Sequence, residues 1–307
     1  MPSTVSNVHY NKPLTGVVVR FQPQELKAFE IMKRFPVASE SDVFTVMDRD
    51  NYVAPETFRA DRTESNPTSI GWRWDSYSCN EHALHDFITK RERDNTNNEF
   101  DLEAIKAENV KRQVLNRLEI TVYGKDGILR TPGNNGGSSN ETLANVDTAS
   151  YRTVIQKAID AVELNCDMPA NTIALATDVL RHITRTKEWK DDARYTTNLT
   201  DGDGLPTEIL GLRVVRLPIA LSTGKKGQSK KPTERLMGDD IWVGHVAEGE
   251  SIGNYTVSYG GVLIANEYSD MWWDKDTRSD KIEYGLIYDP KVIAKECGYL
   301  IQSVLDR

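Results

Sequence analysis

The stretch from Phe100 to Tyr123, FDLEAIKAENVKRQVLNRLEITVY, contains neither Gly nor Pro. Leu102, Ile105, Val110, Val114, Leu118 and Val122 fall mostly three to five residues apart, which predicts a helix with one apolar stripe. Asp101 is placed to cap its start, and Glu103 suits the exposed amides of the first turn. Gly124 is placed to end it in a left-handed conformation. Such a rod is about 36 Å long, at ~1.5 Å per residue. The stripe is narrow, and Lys106, Glu108, Lys111, Arg112, Arg117 and Glu119 occupy the rest. A helix of this kind lies across a surface with one face buried. It acts as a strut rather than a core element.

The remainder must supply what the strut braces. The chain has 307 residues, enough for two domains or one elongated subunit. Its mean hydropathy is -0.53, so arms and loops should be extensive. No window holds the roughly 18 apolar residues of a membrane span, and no apolar signal-peptide core is expected near the N-terminus. Cys79, Cys166 and Cys297 are widely spaced and odd in number, which predicts buried thiols in a reducing compartment and no disulfide framework. A net charge of -8 is the wrong sign for a dedicated nucleic-acid binder.

Taken in order, residues 1–40 read as an arm, with a short strand over Thr15–Phe21 and a short helix over Pro23–Arg34. Residues 41–98 read as an extended hairpin followed by a polar helix, EHALHDFITKRERDN. Trp72, Trp74 and Tyr77 are expected on different faces of its second strand from Arg73 and Asp75. Two strands cannot bury themselves, so this hairpin needs a partner surface. Residues 99–148 hold the strut and a loop containing PGNNGGSSN. Residues 149–256 read as a compact α/β segment. It has a helix over Ser150–Leu164, a strand over Thr172–Ala176, a second helix capped by Asp178, and strands over 212–221 and 240–247. Residues 257–307 are rich in strands.

Chemistry is harder to find. Neither phosphate-binding glycine fingerprint is present, and no nucleophile elbow occurs. His82 and His85 would lie one turn apart on the polar helix, with Glu81 and Asp86 beside them. A metal accepts that spacing, but no second ligand cluster complements it, so a solvated helix face is the better reading. DGDG at 201–204 reads as a turn, and the lysines 225, 226, 230 and 231 as an exposed loop. Trp272 and Trp273 are expected to pack on opposite faces of a strand. No catalytic, cofactor-binding or metal-binding residue is assigned. The candidate assembly residues are Trp72, Trp74, Leu102, Ile105, Val110, Val114, Leu118 and Val122.

The order of elements resembles a known family. YSCNEHALHDFITKRERDN followed by FDLEAIKAENVKRQVLNRLEI resembles the return of an extended loop into a spine helix. YRTVIQKAIDAVELNCDMPANTIALATDVLRHI, then LPTEILGLRVVRLPIAL and DDIWVGHVA, resembles an axial domain. Together these resemble the HK97-fold major capsid proteins of tailed bacteriophages, over roughly residues 15–305. The resemblance implies an α+β fold with an N-terminal arm, an E-loop hairpin, a spine helix in a peripheral (P) domain and a compact axial (A) domain. It implies a non-catalytic subunit that assembles with itself into hexamers and pentamers of an icosahedral shell. It further implies scaffolding, portal and decoration proteins as partners, and non-specific contact with packaged double-stranded DNA. The place of action would be the virion capsid, after synthesis in the host cytoplasm. No cofactor and no membrane are implied. An encapsulin-like compartment shares the fold and is the alternative. A soluble metal- or nucleotide-dependent enzyme is the alternative from a different class.

Overall fold

The structure is a computed structural model that describes residues 26–47, 56–69, 71–95, 102–193, 204–217, 220–222, 233–249 and 257–305. The first elements are helix α1 (Ala28–Ile31) and strands β1 (Lys33–Pro36), β2 (Ser41–Met47), β3 (Trp72–Ser78) and β4 (Asn80–Thr89). Helix α2 (Lys90–Asn95), the long helix α3 (Leu102–Tyr123), strand β5 (Gly137–Asn140) and helix α4 (Tyr151–Cys166) follow. Then come β6 (Thr172–Ala176), α5 (Thr177–Ile183), α6 (Lys187–Ala193), β7 (Glu208–Ile209) and β8 (Leu212–Leu217). The chain finishes with β9 (Ala220–Ser222), β10 (Thr233–Arg235), β11 (Ile241–Gly244), β12 (Gly260–Asp274), β13 (Ser279–Val292) and β14 (Gly298–Gln302). The fold is mixed α+β, and the described residues form two compact units.

The larger unit comprises Leu26–Glu81, Arg117–Asn266 and Ile287–Arg307. Its centre is a six-stranded sheet in the order β5-β14-β11-β6-β8-β7. Every residue of β6 and β11 is buried, which is the signature of strands covered on both faces. Helix α4 lays Tyr151, Ile155, Ala158, Ile159 and Val162 inward and packs on β11 and β14. Its first turn is capped by Ser150, whose hydroxyl accepts the Thr153 N–H at 3.2 Å. Helix α5 packs on β6 and β8. Two asparagines tie loops to this sheet. Asn135 donates to the Leu129 and Thr131 carbonyls and accepts the Trp242 indole N–H at 2.9 Å. Asn171 donates to the Val246 carbonyl at 2.8 Å and accepts the Val246 N–H at 3.0 Å.

Several local expectations change. PGNNGGSSN is not a solvated loop, because Gly137–Asn140 forms the edge strand β5, parallel to Tyr299–Gln302. Glycine allows this approach, since a Cβ on Gly137 would meet the Tyr299 ring at 2.7 Å. Asp178 does not cap α5. The cap residue is Ala176, and Asp178 pairs instead with Arg235. Cys166 and Cys297 are not free thiols. They form a disulfide with Cα atoms 5.1 Å apart, across a separation of 131 residues that hides the pairing from the sequence. Cys79 is buried and free, and burial is the main cause pushing its thiol pKa up. Of the helix expected over Pro23–Arg34, the described part is helical only over α1, and β1 follows, parallel to Gly261–Ile264 of β12. The expected strand at Thr15–Phe21, the cap Asp101, residues 201–203 of the expected turn at 201–204 and the four lysines of the loop expected over 223–236 lie outside the described residues.

The smaller unit contains His82–Asn116 and Glu267–Leu286. Here the order of strands is β12-β13-β4. The segment expected to be a polar helix is therefore strand over Asn80–Thr89, and only Lys90–Asn95 is helical. Long-range pairing with β13 overrides a weak local helical preference, aided by Phe87, Ile88 and Thr89 at its end. In a strand, residues three apart point to opposite faces, so His82 and His85 are not brought together. Among the described residues there is no cluster of three or more metal-ligating side chains, and no helix is long and apolar enough to cross a membrane.

The long helix contributes to both units. In the smaller one Val110 and Val114 are each 3% exposed, Leu102 is half-buried, and Ile105 is exposed. Lys106 donates to the Phe87 carbonyl and pairs with Glu92 at 3.1 Å, while Lys111 pairs with Glu267 at 3.0 Å. In the larger unit Leu118 and Val122 are fully buried, and so are Glu119 and Tyr123. The stripe widens toward its end, which the three-to-five spacing alone does not show. Gly124 closes the helix by donating to the Ile120 carbonyl at 2.8 Å, without the left-handed turn expected of it.

Glu119 is the exception to a polar face in solvent. Its Oε1 accepts the Ala28 N–H at 2.5 Å, its Oε2 has no hydrogen-bond partner among the described residues, and nearby Tyr123 donates to the Lys27 carbonyl at 2.7 Å. Burial raises the Glu119 pKa to about 7, against the lowering effect of the Ala28 and Lys27 amides. A raised carboxyl pKa means the folded state holds a proton that the unfolded chain releases. The associated stability is present in full below the unfolded value near 4.3 and is lost as pH rises through 7. The difference is on the order of 3 kcal/mol. Glu119→Gln keeps the acceptor for Ala28 and removes the charge. Its melting temperature relative to the native chain should rise between pH 5 and pH 8. A difference independent of pH would show that the carboxylate is not desolvated.

Candidate assembly surface

Strands β2 and β3 form an antiparallel ladder in which Val43 faces Ser76, Thr45 faces Trp74, and Met47 faces Trp72. Period-2 alternation puts Val43, Thr45, Trp72 and Trp74 on one face. That face is open: Val43 is 51% exposed, Trp72 57% and Trp74 65%. Phe58, in the segment joining the strands, is 79% exposed. Tyr77 was expected with the tryptophans but shares the face of Arg73 and Asp75, as its odd number requires, and is buried.

This second face holds the root of the hairpin in place. Tyr77 and Cys79 cluster with Leu263, and Phe35, Val37, Phe44, Ala265 and Ile287 pack around them. Phe44 and Tyr77 have ring centroids 6.3 Å apart. The Tyr77 hydroxyl donates to the Ser39 carbonyl at 3.2 Å. Ser78 N–H donates to Asp289 at 3.1 Å, and Lys291 binds Asp75 at 3.3 Å and the Ser76 carbonyl. The result is a ribbon fixed at its base with an aromatic face that the described residues leave uncovered.

A second exposed group lies on the β12–β13 hairpin of the smaller unit, where Met271 is exposed, Trp272 is 42% exposed and Trp273 is 51% exposed. Packing within the chain was expected for these indoles, and the structure leaves both in solvent. The turn beyond them is ordered by Asp274. It accepts from Lys281 at 2.7 Å, from the Asp276 N–H at 3.0 Å and from the Thr277 hydroxyl at 2.9 Å. The Lys281 contact is the largest cause holding the Asp274 carboxyl at about 2.

Of the residues singled out from the sequence, Trp72 and Trp74 belong to the exposed ribbon. Val110, Val114, Leu118 and Val122 are core, Leu102 is at its margin, and Ile105 is exposed. They do not form one site. Sequence reasoning missed Met271, Trp272 and Trp273. The signal available was three consecutive large apolar residues next to an Asp-Lys-Asp-Thr turn, which marks a hairpin tip rather than a core strand.

No family model matches the chain, and no curated protein matches it. Solved structures do. A phage-related protein from Bordetella bronchiseptica RB50 matches with a TM-score of 0.71 at 16% identity, covering 92% of each chain. The capsid of cyanophage P-SCSP1u matches with a TM-score of 0.62 at 10% identity, covering 93% of this chain and 90% of the other. The capsid of a native GTA particle matches with a TM-score of 0.57 at 13% identity, covering 93% of each. At such identities the likeness is one of fold, and it extends over nearly the whole chain: the protein has the α+β fold of phage capsid structures and resembles the HK97-like major capsid proteins.

Proposed function

We propose that this chain is the non-catalytic subunit of a self-assembling icosahedral shell that encloses a phage genome. The observation that carries the reading is the open face of the β2–β3 ribbon. A monomer seldom holds two exposed indoles and a valine on a fixed two-stranded ribbon without a partner to cover them. The likeness in fold to phage capsids supports a second copy of the chain as that partner. On this reading, residues 1–40 are an arm and 41–98 an E-loop, both lying on neighbouring subunits. Residues 99–148 carry the spine of the P domain, 149–256 are the A domain meeting its copies in hexamers and pentamers, and 257–307 return to the P domain. Scaffolding, portal and decoration proteins would be further partners, and packaged double-stranded DNA would touch the inner wall without sequence preference.

Negative-stain imaging of the purified protein tests the reading. Closed particles of uniform size are expected. Particles with protein cargo and no DNA, when isolated from the native source, would point to an encapsulin-like compartment instead. A stable monomer across a wide range of salt and concentration would end the shell reading.

A further inference from the structure

We infer that Arg181 and Arg185 form a binding site for a phosphate group, independent of the shell reading. Helix α5 buries Val179, Leu180 and Ile183. Asp178, Arg181, His182 and Arg185 follow the i, i+3, i+4, i+7 spacing of a single helical face continued through the turn after Ile183. These four residues line an open cleft of about 220 Å³. Asp178 would oppose an anion, but Arg235 pairs with it. His182 is held in the lining by Nε2, which donates to the Leu143 carbonyl at 2.6 Å.

Arg181 and Arg185 are exposed, and among the described residues no carboxylate pairs with either. Arg93, Arg130, Arg152, Arg213 and Arg235 each have a carboxylate partner, and the whole chain carries eight more acidic than basic residues (46 against 38). Two exposed guanidiniums lining one cleft each carry a planar donor fork, the group that suits an oxyanion. A phosphate group, with more acceptor oxygens and more charge than a carboxylate, uses both forks at once. The cleft is smaller than the roughly 300–1,000 Å³ of ordinary small-molecule sites, so it takes the phosphate group and not an attached base. Inorganic phosphate and a phosphodiester backbone present this same chemistry.

Titration calorimetry on the full-length chain separates the two sources. One arm uses inorganic phosphate, and the other a double-stranded oligonucleotide of arbitrary sequence. Arg181→Ala with Arg185→Ala should weaken the bound form at least tenfold while leaving the melting temperature unchanged, because both side chains are exposed. Loss in the first arm identifies a small-anion site. Loss in the second alone, with the slope of log affinity against log salt reduced by about 2, identifies a backbone contact. The pair Arg181→Lys and Arg185→Lys keeps the charge but not the forks. It should bind more weakly than the native chain, and it carries the test if the alanine pair misfolds. Unchanged binding in both arms for either pair would overturn the site, as would equal competition by chloride or by a glutamate peptide.

Discussion

Val114→Asp should unfold the subunit or lower its melting temperature by roughly 10 °C or more. Val114 is 3% exposed on the inward face of α3, one turn beyond Val110, which is equally buried. An aspartate there loses the apolar contacts of the valine and places a carboxylate on a buried face. Burying an unpaired charge costs several kcal/mol, against a total stability of about 5–15 kcal/mol. At about 2–4 °C per kcal/mol for a chain of this order of size, the shift is large enough to read by calorimetry. Ile105→Asp is the control. Ile105 is on the same helix and is 37% exposed, so its substitution should move the melting temperature by only a degree or two. Equal effects at the two positions would mean that the helix does not bury the face assigned to it.

The contrast between Val114 and Ile105 shows what a spacing argument can and cannot supply. A 3.6-residue period identifies a helix and one of its faces, and α3 follows it from Val110 through Val122. The period does not report how wide the buried face is at each level. Glu119 was placed with the solvated charges, yet it is buried beside the start of α1 because the stripe broadens there. The central strands were legible for a different reason. TIALA and IWVG are short apolar runs with turn residues around them, and a run of that kind has little choice but a covered sheet. EHALHDFIT was not legible. Its local pattern suits a polar helix, and only pairing with β13, almost 200 residues away in sequence, makes it a strand. The Cys166–Cys297 disulfide was hidden in the same way, since only the tertiary fold brings the end of α4 to the turn before β14.

The candidate surface was half legible. Alternation in GWRWDSYS set Trp72 and Trp74 on one face, and among the described residues no third strand joins the ribbon to cover it. Trp272 and Trp273 were read as packed because two adjacent indoles in a strand ordinarily find a core on at least one side. Their place on a long hairpin near its turn removes that core.

Deleting residues 52–72 should leave the subunit folded and abolish closed particles. The contacts that fix the ribbon's root, through Tyr77, Cys79, Phe44 and Leu263, lie outside the deleted segment. Residues 48–51 remain to join Met47 to Arg73, a length suited to a short hairpin loop. The melting temperature of the unassembled subunit should therefore stay within a few degrees of the native value. What disappears is the segment that carries Phe58 and Trp72. A gentler pair, Trp72→Ser with Trp74→Ser, separates the aromatic face from the length of the loop. Each indole would bury on the order of 100 Å² of apolar surface on a neighbour, worth about 2.5 kcal/mol at ~25 cal/mol/Å². Ordering and desolvation consume part of that gain, so the concentration needed for assembly should rise about tenfold to a hundredfold per indole. Light scattering against concentration measures the shift directly. Normal particles from the deletion would show that the ribbon is not an assembly element. A collapse of the melting temperature in the serine pair would show instead that the indoles already serve the isolated subunit, and the open face would then need another explanation.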